Sequence, residues 1–215
     1  MQNFELIIDT SRKGARLSLF HEECSFERFD LNAKSESLTN LLESLEKEAG
    51  ISLDAIDKVL VLTGPGSFTG LRTGIAFSEG LCFSGKRKLY GISSLQAFSL
   101  FSAKKEKIVL FRARTDFWYL RLDGIENSAY NQTESFLPTA EVLNILKSIS
   151  FEEAVVDSFV LENASLKNAI SEKHSLILLD DNTSLKTFRT CFSFLKPVLT
   201  LEANYIQPSY AEQGH

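Results

Sequence analysis

Gly64-Pro65-Gly66-Ser67-Phe68-Thr69-Gly70-Leu71-Arg72-Thr73-Gly74 is the stretch on which the reading of this chain turns. Ahead of it stands Val59-Leu60-Val61-Leu62, an unbroken apolar run that predicts a central strand covered on both faces. Behind it, Ile75-Ala76-Phe77-Ser78-Glu79-Gly80-Leu81 predicts a helix. A Gly-rich turn between a buried strand and a helix start is where an α/β sheet usually places its site. Free N–H groups at the helix start would also suit an anion. On spacing alone the simpler reading is preferred, a tight turn whose glycines relieve sterics. No Lys-Ser or Lys-Thr follows Gly70, so this is not a Walker A loop. Nor does it fit G-x-G-x-x-G, because the third glycine would fall at Thr69.

The composition narrows the classes. The 215 residues are 44% hydrophobic and 24% charged, as in an ordinary folded chain, enough for two small lobes or one large domain. A net charge of −5 argues against a free-standing nucleic-acid binder, though not against a local basic patch. Cys24, Cys82 and Cys191 form no CxxC pair, so neither a disulfide framework nor a zinc ribbon is indicated. His21, His174 and His215 form no His-x-x-x-His pair, and no G-x-S-x-G elbow occurs. The first residues lack the basic and apolar regions of a signal peptide, and no run is long enough to span a membrane. The expectation is a cytoplasmic protein with no catalytic residues, metal or cofactor of its own.

The Gly64–Gly74 string is similar, almost letter for letter, to the GPGSFTGLR signature of the TsaB (YeaZ) family. The resemblance covers Phe4 to Leu100 and returns at the tail, where Tyr205-Ile206-Gln207-Pro208-Ser209-Tyr210 is similar to a closing Pro-x-Tyr-Leu-Arg without its Leu-Arg. It implies an α/β chain with the actin-like ATPase superfamily (ASKHA, ribonuclease H-like) fold, two lobes with mixed sheets flanked by helices. It further implies a scaffold or activating subunit of the complex that adds a threonylcarbamoyl group to N6 of adenosine beside the anticodon of tRNA. The implied partners are a catalytic TsaD-like paralogue and a TsaE-like ATPase, with a homodimer when the chain is alone and tRNA reached only through the complex. The alternative is a nucleotide-binding ATPase or small-molecule kinase of the same superfamily.

From the signature outward, the helix after the turn carries small residues at every fourth position, Gly70, Gly74, Ser78 and Cys82. Arg72 and Glu79 are its only charges before Lys86. So little polar surface predicts cover on more than one side. The pattern leaves open whether the small strip packs on this chain's own sheet or lets another backbone approach; the resemblance favours a partner interface. That interface is expected at Leu38, Leu42 and Leu45 on the preceding helix, which runs from a cap at Ser35 or Ser37 to Gly50. On the second helix it is expected at Gly70, Gly74, Ser78 and Leu81.

Toward the start, Phe4–Asp9 predicts a strand, Arg12-Lys13-Gly14 a turn, Ala15–Leu19 a returning strand and Ser25–Phe29 a third. Asp9-Thr10-Ser11 resembles the first phosphate loop of actin-like ATPases, with Arg12 and Lys13 where glycine is usual; Asp9 serves equally as a turn cap. Candidate anion or nucleotide contacts are therefore Asp9, Thr10, Gly66, Ser67 and Arg72. Family members carry Arg-x-His-Ser before the first helix and Asp-Ala-Arg after the charged break; here stand Asn32–Ser37, lacking the Arg and His, and Arg112-Ala113-Arg114.

The charged break Ser102–Lys107 is the expected lobe boundary, giving an N-terminal lobe 1–102 and a C-terminal lobe 103–215 whose tail from about residue 200 packs back on the first. Beyond the break the strand–hairpin–helix order restarts with Ile108–Phe111 and Phe117–Leu122. Arg112, Arg114 and Arg121 form a candidate basic patch among aromatics that otherwise read as core. Helices are expected from Pro138, over Ala164–Ile170 and over Thr183–Leu195, with short strands at Ala154–Val156 and Leu176–Leu179.

Overall fold

The computed structural model describes residues 3–22, 24–33, 37–125, 133–171 and 174–207. The chain divides into two compact units, residues 1–94 with 184–205, and residues 95–183 with 206–215.

The first unit is built on one five-stranded sheet. Strands β1 (Phe4–Asp9), β2 (Ala15–His21) and β3 (Cys24–Asp30) form an antiparallel meander. Helix α1 (Ser37–Ala49) carries the chain to β4 (Ile56–Leu62), which lies parallel to β1. Helix α2 (Phe68–Cys82) then leads to β5 (Lys88–Ile92), parallel to β4, so the spatial order is β3-β2-β1-β4-β5. Val59 through Leu62 are all fully buried, as a strand covered on both faces requires. Leu38, Leu42 and Leu45 turn one stripe of α1 into the same core as Leu6, Ile8, Leu17 and Leu19. Burial of each such side chain contributes about 1.5–3 kcal/mol. The opposite side of α1, including Asn40, Glu43 and Lys47, is exposed.

The second unit repeats the plan. Helix α3 (Ser94–Ser99) leads into β6 (Lys107–Arg114), β7 (Phe117–Asp123) and β8 (Glu134–Pro138), again an antiparallel meander. Helix α4 (Thr139–Ser148) leads to β9 (Glu153–Val156), parallel to β6. Helices α5 (Ser158–Glu162) and α6 (Ala164–Ser171) lead to β10 (Ser175–Leu178), parallel to β9. The order β8-β7-β6-β9-β10 is that of the first sheet, strand for strand. This duplicated α/β plan, two mixed sheets flanked by helices, is the expected actin-like fold class.

Several local expectations need correction. Strand β8 has no alternating signal strong enough to predict it; it forms because Glu134 to Pro138 pair along β7. Thr139, which the sequence offers as an N-cap for the helix starting at Pro138, does not cap α4. Its hydroxyl accepts from Trp118 Nε1 at 2.8 Å, while Pro138 stands at the cap position without a side-chain bond. The expected helix over Thr183–Leu195 is a 3-10 segment, Leu185–Thr190, followed by one α-turn, α7 (Cys191–Phe194). β-branched and aromatic residues, Thr187, Phe188, Thr190 and Phe192, lower its helix propensity. The Ser35 cap and the tail from Pro208 lie outside the described residues.

Candidate functional site

In the first unit, β1 and β4 run parallel, and the chain leaves them toward opposite sides of the sheet. Their carboxyl ends, Asp9 and Leu62, thus mark a topological switch point, the usual position of a ligand in such sheets. The Gly64–Gly74 turn and the β1–β2 hairpin meet there.

The hairpin is closed by its own acid. The Asp9 carboxylate is fully buried and accepts from the Ser11 amide at 2.9 Å and the Ser11 hydroxyl at 2.6 Å. The Arg12 guanidinium stands 3.5 Å from its second oxygen. Gly14, at φ +82°, completes the turn in a conformation that L-residues rarely adopt. Asp9 therefore acts as the turn cap.

The signature turn then packs straight onto that hairpin. The Ser67 amide donates to the Ser11 carbonyl at 2.7 Å, so one N–H that could have met an anion is spent within the chain. Ser67 also caps α2, its hydroxyl accepting from Gly70 N at 3.2 Å. A Cβ on Gly66 would stand 2.1 Å from the Ser11 carbonyl oxygen, and one on Gly70 would stand 2.2 Å from that of Thr10. A Cβ on Gly74 would meet the Thr10 hydroxyl at 2.2 Å. Ser78 continues the strip, fully buried, with its hydroxyl donating to the Gly74 carbonyl at 2.7 Å. The glycines thus let α2 lie against the end of β1 at backbone distance, and the junction has the character of a packing joint.

Arg72 and Glu79, the two charges of α2, both serve the returning segment 198–205. Arg72 Nε donates to the Tyr205 hydroxyl at 3.1 Å, and its guanidinium lies over the Phe68 ring at 4.3 Å. Phe68 and Tyr205 stack at 4.2 Å. The Glu79 carboxylate accepts from Leu201 N at 2.8 Å. Asn204 N donates to Thr63 O at 2.7 Å, and Val198 N to Leu89 O at 2.9 Å. Arg72 and Glu79 stood out in the sequence as the helix's only charges before Lys86; that the returning segment uses both was not legible, because nothing in the tail's composition names these two side chains.

The expected site residues are thus placed as follows. Asp9, Thr10, Gly66 and Ser67 do come together, and Arg72 lies nearby on α2 but is engaged by Tyr205. Leu38, Leu42 and Leu45 are enclosed by the unit's own core, as are Gly74 and Ser78, so these five offer no free contact surface. Gly70 is half-buried on Thr10, and Leu81 is half-buried against the core. What α2 does expose is a different strip: Thr69, Arg72, Ala76, Gly80 and Phe83, the last 93% exposed just beyond the helix end. A Cβ on Gly80 would meet nothing within 4 Å. Among the described residues, no group of three or more His, Cys, Asp or Glu side chains could hold a metal ion, and no helix is long and apolar enough to cross a membrane.

Comparison with known proteins agrees with the joint's composition. Residues 32–160 match the family described as "TsaD: tRNA N6-adenosine threonylcarbamoyltransferase". The "tRNA threonylcarbamoyladenosine biosynthesis protein TsaB" of Haemophilus influenzae is 28% identical over 102 residues, 46% of this chain and 43% of that protein. Its Escherichia coli counterpart is 27% identical over 96 residues, 44% of this chain and 42% of that protein. The matches thus span less than half the length of these relatives. Among solved structures, "YeaZ from Pseudomonas aeruginosa" superposes with a TM-score of 0.61 at 20% identity, covering 97% of this chain and 99% of that one. With a family match running through the signature turn and across more than half of its residues, the chain belongs to the threonylcarbamoyltransferase (TsaD) family, within its TsaB (YeaZ) group.

Proposed function

We propose that this chain is a non-catalytic scaffold subunit of the machinery that adds the threonylcarbamoyl group to N6 of adenosine in tRNA. It works in the cytoplasm by holding a TsaD-like catalytic paralogue in its active form. A TsaE-like ATPase resets the complex, and the chain pairs with itself when that paralogue is absent. The observation that carries this reading is α2. It is a mostly apolar helix with one side locked on β1 by glycines and the other left as an exposed strip through Ala76, Gly80 and Phe83. Small residues on an exposed strip let a second helix approach closely, and a solvated phenylalanine at its end supplies apolar area to bury. The pairing surface therefore moves from Gly74 and Ser78, which are already covered, to their neighbours one step around the helix. Leu81 stands at its margin.

The superfamily alternative, an ATPase or kinase centred on Asp9 and the glycine turn, fits this arrangement poorly. One oxygen of the Asp9 carboxylate is engaged by Ser11, and the Ser67 amide, a donor an anion would use, is committed to the Ser11 carbonyl.

Size-exclusion chromatography with light scattering, on the chain alone and mixed with the TsaD-like paralogue of the same genome, tests the reading. The expected result is a self-dimer that gives way to a stoichiometric heterodimer. Gly80→Arg, where the side chain meets open space, should abolish both assemblies without lowering the melting temperature of the chain. Two unmixed peaks from the wild-type chain, or pairing unaffected by Gly80→Arg, would refute it.

A further inference from the structure

The two units share one topology but not one fate at the switch point. In the first, the signature turn fills it. In the second, the corresponding position lies between the carboxyl ends of β6 and β9, and Arg112, Arg114, Asp157 and Phe159 surround it.

Strand β6 ends in a bulge: its register on β7 shifts between Arg112 and Arg114. Bulges of this kind re-aim side chains at sheet ends. The exposed Arg112 lays its guanidinium over the Phe159 ring at 4.4 Å, and that ring is itself 41% exposed. Among the described residues no carboxylate or carbonyl engages the Arg112 guanidinium. Asp157, the nearby acid, accepts instead from the Arg112 amide at 2.8 Å and caps α5 through Val160 N at 3.2 Å. Arg114 lies over the Phe117 and Phe136 rings at 4.5 and 5.3 Å, and those rings stack on each other at 4.9 Å. Arg121, expected to join the patch, does not: it is bound to Asp123 at 2.8 Å and Glu134 at 2.9 Å.

We infer that the Arg112–Phe159 pair is a direct contact for an unpaired stretch of RNA, stacking a base and holding a backbone phosphate. A guanidinium backed by an aromatic ring presents a flat outer face for stacking and in-plane N–H donors for phosphate oxygens. Unpaired bases are recognised by stacking on such planes, and a paired helix does not offer them. Arg112 and Phe159 are both exposed, which suits a polymer held elsewhere along its length better than a free mononucleotide, whose sites enclose most of it. An acidic peptide would use the charge of Arg112 but not the ring behind it. With a net charge of −5, the chain binds RNA weakly by itself, and this contact adds to affinity supplied by a partner. The choice of RNA as the polymer rests on the tRNA reading above; the stacking chemistry does not.

Fluorescence anisotropy of a labelled tRNA anticodon stem–loop, titrated with the whole chain at low salt, tests the inference. Arg112→Ala and Phe159→Ala should each weaken binding about tenfold, within the range for loss of one stacked base. Arg112→Lys, which keeps the charge and loses the plane, should retain the salt dependence and still lose most of the affinity. A blunt RNA duplex should be insensitive to all three. No binding by the wild-type chain, equal binding by Arg112→Ala, or full competition by polyglutamate would each overturn it. Pairing with the TsaD-like paralogue should survive Arg112→Ala, so failure of the RNA contact is distinguishable from failure of the scaffold reading.

Discussion

Replacing glycines along α2 by alanine should change stability in opposite directions, according to what each glycine faces. In an exposed helix interior, Gly→Ala contributes about 1 kcal/mol of stability by helix propensity. Gly80 is such a position, open to solvent with nothing within 4 Å of a new Cβ, so Gly80→Ala should stabilise by about 1 kcal/mol. Gly70→Ala gains the same propensity term but sets its Cβ 2.2 Å from the Thr10 carbonyl oxygen, when ordinary contact begins near 3.4 Å. A backbone oxygen cannot rotate aside as the end of a side chain can, so α2 must lift by about 1 Å and loosen Leu71 and Ile75 from the sheet. Overpacking of this kind costs about 1–3 kcal/mol, with the forced separation at the upper end, leaving a net loss of about 2 kcal/mol. For a chain of this size that is a fall in Tm of about 4–8 °C for Gly70→Ala, against a rise of about 2–4 °C for Gly80→Ala. Gly74→Ala should also destabilise, but its obstacle is the Thr10 side chain, whose hydroxyl has no hydrogen-bond partner among the described residues. Thr10→Ala should therefore rescue Gly74→Ala and leave Gly70→Ala unrescued. Thermal and urea unfolding followed by circular dichroism would measure all five variants. Equal stability of Gly70→Ala and Gly80→Ala, or rescue of both buried variants by Thr10→Ala, would refute the packing-joint account.

Two further outcomes follow from single groups. Hydrogen bonds from Ser102 and Ser175 hold the Glu153 carboxyl below its ordinary value of 4.5, with Lys104 and Lys107 assisting. A depressed carboxyl gives stability that is present above the unfolded value and lost as pH falls through the folded one. Acid unfolding of Glu153→Gln should accordingly show a shallower loss of stability below about pH 4.5 than wild type; identical acid profiles would exclude this role. Burial pushes the Cys82 and Cys191 thiols up to about 11, whereas Cys24 is exposed. An aromatic disulfide reagent at pH 8 should thus find one fast thiol in the native protein and three after denaturation, since the thiolate is the reacting form. Three fast thiols in the native state would contradict the burial of Cys82 and Cys191.

Where the sequence carried a period or a compulsory turn, the fold was legible. Val59–Leu62 read directly as a strand covered on both sides, and the Leu38, Leu42, Leu45 stripe read as a face that must be covered, though the resemblance points it at a partner and the unit's own sheet covers it. What covers the small strip of α2 was not legible: the same spacing suits a second chain or the helix's own sheet, and the choice rests on Thr10, 60 positions before Gly70. Asp9 was readable both as a phosphate-loop residue and as a turn cap, and two short bonds to Ser11 decide for the cap. The return of the tail to the first lobe was expected, but its seat on α2 and the existence of strand β8 were hidden for a shared reason. Both depend on pairing with a distant neighbour and leave only a weak local pattern. The open switch point of the second unit was half visible. Arg112 and Arg114 announced a basic patch, but only the helix after β9 brings Phe159 under the guanidinium.

The return of residues 184–205 to the first unit bears on the order in which the chain can acquire structure as it leaves the ribosome. The sheet of the first unit is translated early, but Leu201 and Ala203, which close one side of its core, and Asn204, which closes its signature turn, come last. Residues 95–183 must be made in between, a delay of roughly five to twenty seconds at about 5–20 residues per second. During that interval the outer face of α2 near Glu79 and the end of β5 are uncovered. The first unit therefore has its whole sheet long before it has the segment that covers the Glu79 side of α2 and the end of β5.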